Sequence, residues 1–216
     1  MNNNPNAFGP TLAGMRQKLR MIEAISSNIA NVNSIGYQRQ IPESVTFKSI
    51  LSDVSNESVA RDMTSGQFKK TGSNFDLAIE GNAYFLVESP KGIVPTKNGN
   101  FRLNEKGELC TQDGQEVVIV EKTDTPLSLA KSFNIEVKTN GEIFIGTERY
   151  GRIAMQINDN RPVKIHQGFL EGSNVNLMNE MVALSQTFRA FEANEKILGM
   201  EASVDKELVE KYGRNV

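Results

Sequence analysis

The chain has 216 residues, enough for one domain with a sizeable core or for two modest ones. Hydrophobic residues make up 38% and charged residues 23%, a soluble, globular balance, and no apolar run approaches the ~18 residues of a membrane span. A formal net charge of -2 and the absence of tryptophan argue against nucleic acid or an anionic lipid surface as partner, and direct membrane insertion is not expected.

The first ten residues are rich in asparagine and read as a flexible arm; they lack the charged and apolar regions of a secretory signal, so no cleaved signal peptide is expected. From Thr11 to about Ser34 the chain reads as a helix. Leu12, Met15, Leu19, Ile22, Ile25 and Ile29 recur at spacings of three and four and stack on one face. Thr11 can cap its start, and Asn33 or Gly36 can end it.

Residues 40–72 are polar and irregular and read as an extended connector. The texture then changes to short apolar runs: Phe75–Ile79, Tyr84–Val87, Phe101–Leu103, Glu116–Val120, Asn134–Val137 and Glu142–Ile145. Turn pairs separate them, among them Gly81-Asn82, Asn98-Gly99, Lys106-Gly107, Asp113-Gly114 and Asn140-Gly141, which predicts an antiparallel meander.

A second helix is predicted from about Val175 to Leu208, capped by Ser173 or Asn174. Its apolar seam is Met181, Leu184, Phe188, Phe191 and Leu198. The two seams are narrow and neither helix can bury its own. They can pack on each other or on neighbouring subunits.

The expected fold is therefore α+β. Residues 1–39 and 166–216 would form a discontinuous, coiled-coil-like helical domain, with a connector at 40–72 and a central antiparallel all-β domain at 73–165. The candidate subunit-packing residues are Leu12, Met15, Leu19, Ile22, Ile25, Asn28, Ile29, Asn31, Met181, Leu184, Phe188, Phe191 and Leu198. Asn28 and Asn31 lie about one turn apart, so their amides share a side of the first helix and can bond to another backbone.

Chemistry is poorly represented. Cys110 reads as a small buried hydrophobe on a strand, and His166 is the sole histidine, with no local motif linking the two. Asp76, Glu80 and His166 are the residues an acid–base enzyme would use, but they form no recognisable constellation. No catalytic site, cofactor, metal or small-molecule substrate is expected.

Three blocks carry a resemblance. The first is Ser26-Ser27-Asn28-Ile29-Ala30-Asn31-Val32-Asn33-Ser34-Ile35-Gly36-Tyr37, with Gly14-Met15 before it. The second is Thr71–Gly81 followed by Phe85-Leu86-Val87 and Asn98-Gly99-Asn100-Phe101. The third is Gly168-Phe169-Leu170-Glu171-Gly172-Ser173-Asn174-Val175, with Glu180-Met181 and Arg189-Ala190-Phe191-Glu192 behind it. Their order and wording resemble the bacterial flagellar rod and hook axial protein family. Pro95 and Lys97 depart from that pattern, standing where the family usually has Tyr and Arg.

The resemblance implies a structural subunit of the flagellar basal-body rod, polymerising through its terminal helices into a tube that transmits motor torque to the hook. A large extra domain, as in hook subunits, has no room here, and the third block is closer to proximal than to distal rod. The implied partners are copies of the chain, other rod and hook axial proteins, and the flagellar type III export apparatus. The implied location is the basal body in the periplasmic space. The competing reading is a non-enzymatic two-domain binding module whose helices close into a coiled coil.

Overall fold

The computed structural model describes residues 9–41, 60–123 and 135–212. Most of the expected N-terminal arm, residues 42–59 of the expected connector, and Asn134 at the start of one predicted strand lie outside the described residues. The chain divides into two units. One comprises Met1–Ala30, Gln40–Arg61 and Asn176–Val216; the other comprises Asn31–Arg39 and Asp62–Val175.

The helical unit holds α1 (Gly9–Ala30), the short strands β1 (Gln40–Ile41) and β2 (Ala60–Arg61), and α2 (Leu177–Tyr212). Pro10 sits in the first turn of α1, where its missing N–H costs no helical hydrogen bond. The helix ends at Ala30, short of the expected end near Ser34. Asparagine offers the backbone local alternatives to the helix ladder. Here the Asn31 carbonyl accepts from the Ser34 N–H at 3.1 Å and its side-chain oxygen accepts from Ser34 Oγ at 3.0 Å.

At α2 the capping residue is Asn176, not Ser173 or Asn174: its Oδ1 accepts the Asn179 N–H at 3.1 Å. Glu180, in the first turn, is placed where the helix dipole favours a carboxylate. β1 and β2 pair antiparallel, Gln40 opposite Arg61 and Ile41 opposite Ala60.

The β unit holds fourteen described strands. In chain order they are β3 (Phe68–Lys70), β4 (Leu77–Glu80), β5 (Ala83–Ser89), β6 (Gly92–Thr96) and β7 (Phe101–Leu103), then β8 (Leu109–Thr111), β9 (Glu116–Val117) and β10 (Ile119–Val120). After them come β11 (Ile135–Val137), β12 (Glu142–Ile145), β13 (Glu148–Ile153), β14 (Met155–Ile157), β15 (Lys164–Gln167) and β16 (Phe169–Glu171). β5 is central to the largest sheet, pairing with β6, β9 and β14, while β8 joins β7 to β9. A second sheet runs β10-β13-β12-β11, and two ribbons pair β15 with β4 and β16 with β3.

These sheets share one core. Leu77, Ile79, Phe85, Val87 and Phe101 pack in the same buried cluster as Ile143, Tyr150, Ile153 and Ile165, and the Phe85 and Phe101 rings meet edge-on at 5.1 Å. Each fully buried side chain of this kind stabilises by about 1.5–3 kcal/mol, so the β unit has a hydrophobic core of its own.

Two expectations are corrected. The β region is not one meander but several antiparallel sheets, because β13, β14 and β15 return to pair with strands far earlier in the chain. Asn98-Gly99 is likewise no hairpin turn. Gly99 stands there because a Cβ would overlap the Leu77 carbonyl oxygen, while the Leu77 N–H donates to the Gly99 carbonyl at 3.0 Å.

The second correction concerns the helices. A coiled-coil-like pairing would bury both apolar seams, yet Leu12, Leu19, Met181 and Phe188 are exposed. α1 and α2 also meet through polar side chains: Asn28 Nδ2 donates to Glu180 Oε2 at 3.2 Å and Thr11 Oγ1 to Glu201 Oε1 at 3.4 Å. Gly14 faces Asn194.

Candidate assembly surface

The inward face of α2 is read from burial. Leu177, Glu180, Leu184, Thr187, Phe191, Asn194, Leu198 and Glu201 are buried or half-buried, at spacings of three and four. Every second one is polar, and Glu180 and Thr187 are the most enclosed. A search for a continuous apolar stripe selects Leu184, Phe191 and Leu198 on this face but takes Met181 and Phe188 from its exposed margin. The polar positions, each seven apart, are the signal such a search discards.

On α1 the candidates divide by position. Ile25 and Asn28 are buried near the C-terminal end, together with Ala24. Met15, Ile22 and Ile29 are half-buried, while Leu12 and Leu19 are exposed; Asn31, half-buried, lies just beyond the helix end. On α2, Met178, Met181, Val182, Phe188, Ile197, Met200 and Val204 are all exposed. Singly exposed apolar residues are ordinary, but a long helix carrying this many is a candidate contact surface.

Within the β unit, two polar arrangements escape a motif-based reading. Asn174 binds two backbone segments at once, 62–64 and Arg39. Its Nδ2 donates to the carbonyls of Asp62 and Thr64 at 3.0 and 2.8 Å, and its Oδ1 accepts the Arg39 N–H at 2.6 Å. The second is a buried ion pair between Lys97 and Glu171, at 3.4 Å. Lys97 Nζ also donates to the carbonyl of Gly81 at 2.8 Å, and Glu171 Oε1 accepts the Gly66 N–H at 3.0 Å. Burial pushes the Glu171 carboxyl above its ordinary range, with the Lys97 charge opposing that shift.

Gly36 closes the same neighbourhood. It adopts φ +67°, its N–H donates to the Glu171 carbonyl at 2.7 Å, and a Cβ there would strike the Lys97–Asn98 backbone. The Gly-Tyr that ends the first sequence block thus serves close backbone packing inside the β unit rather than immediate capping of α1.

The residues considered for chemistry are dispersed or occupied structurally. His166 Nε2 lies 2.8 Å from Glu80 Oε2 in an exposed pair between β15 and β4, which holds Glu80 below its ordinary value. Asp76 is buried, and its carbonyl accepts the Gly168 N–H at 2.8 Å. Cys110 is buried on β8. Among the described residues no group of three or more His, Cys, Asp or Glu side chains could hold a metal, and no described helix is long and apolar enough to cross a membrane.

Residues 166–210 match the family described as flagellar basal body rod FlgEFG protein C-terminal, and residues 78–145 match the flagellar hook protein FlgE/F/G D1 domain. The flagellar basal-body rod protein FlgF of Rhizobium meliloti is 30% identical over 221 residues, covering 87% of this chain and 90% of the relative. The chain belongs to the flagellar basal-body rod protein family. FlgF of Mesorhizobium japonicum is 29% identical, covering 90% of this chain and 92% of its own length. FlgG of Bacillus subtilis is 28% identical, covering 92% and 96%. The family is structural and non-enzymatic, so this rod-family chain is a structural subunit, and the exposed helix residues rather than Asp76, Glu80 or His166 are its candidate functional surface.

Proposed function

We propose that this rod-family chain assembles with copies of itself and with other flagellar axial proteins into a helical tube that transmits motor torque to the hook. The observation that carries this reading is the set of apolar residues left uncovered on both helices, Leu12 and Leu19 on α1 and Met181, Phe188, Met200 and Val204 on α2. Burying them against neighbouring subunits removes apolar surface from water at about 25 cal/mol per Å². A head-to-tail contact that does not close on itself generates a filament.

In this reading the subunit passes unfolded through the flagellum's own export apparatus and folds where the rod grows, in the periplasmic space. A single buried cysteine suits that route, since the fold requires no internal disulfide. Imaging basal bodies from a strain lacking this chain tests the proposal: the rod should be absent or truncated and the cells non-motile, with both defects restored by the wild-type gene. Complete rods in the deletion strain would overturn it.

A further inference from the structure

We propose that Asn28, the first asparagine of the Ser26–Tyr37 block, is an intrasubunit pin that fixes the start of β1 to α1 and α2, rather than a contact to a neighbouring subunit. The carboxamide of Asn28 engages one peptide unit's residue from both sides. Its Oδ1 accepts the Gln40 N–H at 2.8 Å and its Nδ2 donates to the Gln40 carbonyl at 2.9 Å, the pairing a β-strand neighbour would make. The same Nδ2 donates to Glu180 Oε2 at 3.2 Å.

Asn28 is 0% exposed and Glu180 is 1% exposed, so the bond between them lies out of reach of bulk water, while the two bonds to half-buried Gln40 are partly shielded. Only an amide meets all three demands, since it offers one acceptor to Gln40 N–H and two donors to two separate acceptors. Aspartate would face the Gln40 carbonyl and the Glu180 carboxylate with oxygen against oxygen. Alanine would leave the half-buried Gln40 carbonyl and N–H without this partner. The pin fixes β1 beside α1 and, through the β1–β2 pairing, where the chain returns at Ala60.

The test is hydrogen exchange on the full-length chain in dilute solution, where no neighbour is present. Asn28→Ala should lower the protection of the Gln40 amide by about tenfold or more while amides of β5 keep theirs. Asn28→Asp should lower it further, and adding Glu180→Gln to Asn28→Asp should restore much of the loss by returning a donor to the pair. Equal Gln40 protection in wild type and Asn28→Ala, an unprotected Gln40 amide in the wild-type monomer, or no recovery with Glu180→Gln would overturn the proposal. Rod growth that fails in Asn28→Ala while the monomer's Gln40 amide is unchanged would assign Asn28 to a neighbouring subunit instead.

Discussion

Lys97 and Glu171 face each other across 3.4 Å with side chains only 2% and 3% exposed, an ion pair enclosed within the β unit. Gly66 adds a backbone donor to the carboxylate and Gly81 a carbonyl acceptor to the ammonium, so each charge has further partners. The pair sits where the 34–38 and 62–66 segments meet β16, through the Gly36 and Gly66 backbone bonds to Glu171.

The pH response of the fold should carry the signature of Glu171. Its carboxyl lies above the ordinary glutamate value of 4.5 because burial disfavours its charge. A raised carboxyl in the folded state binds its proton more tightly than in the unfolded state. Its contribution to stability is therefore fully present below the ordinary value and is lost as pH rises through the raised one. Thermal melts of wild type and Glu171→Gln across pH 4 to 8 should show the wild type losing ground relative to the variant over that window. A difference between the two that is flat with pH would show that Glu171 titrates as an ordinary exposed carboxylate.

Phe188→Asp should stop assembly while leaving the monomer intact. Phe188 is exposed on α2, so the change should alter monomer stability by no more than about 0.5 kcal/mol. In a dry subunit contact the same carboxylate would cost several kcal/mol. Motility and rod yield should fall sharply with an unchanged melting curve. Normal swimming would remove Phe188 from the assembly surface.

Two glycine substitutions should act in opposite directions. Gly99→Ala forces a Cβ into the Leu77 carbonyl and should cost more than about 2 kcal/mol, because the obstacle is backbone and has no rotamer to yield. Gly199 lies inside α2 with open space where a Cβ would go, so Gly199→Ala should stabilise the helix by about 1 kcal/mol. Denaturant titration of both variants, read by helical and near-ultraviolet dichroism, measures each. A neutral Gly99→Ala would mean that the β4 to β7 approach can relax.

What lay open in the sequence was local. The three- and four-residue recurrence of Leu12, Met15, Leu19 and Ile22 marks a helix whatever it packs against, and so does the proline-free stretch from Leu177 to Tyr212. Lys106-Gly107, Asp113-Gly114 and Asn140-Gly141 place turns because positive φ is cheap for glycine alone, and these three glycines adopt φ of 78°, 83° and 88°. The three ordered blocks identified the rod family, since they consist of residue identities and spacings.

Tertiary structure alone decided which polar groups go inside. Asn28 is buried because Gln40 and Glu180 come to meet it, and Lys97 because Glu171 and two carbonyls surround it; Asn174 is half-buried because the 62–64 segment and Arg39 converge on its amide. The two side chains of the closest such helix contact, Asn28 and Glu180, are 152 residues apart in the chain. Apolar residues reveal their burial through periodicity, because leaving water favours them against almost any neighbour. A polar side chain is buried only where distant partners replace its water hydrogen bonds, so its place was decided when the chain folded those partners around it.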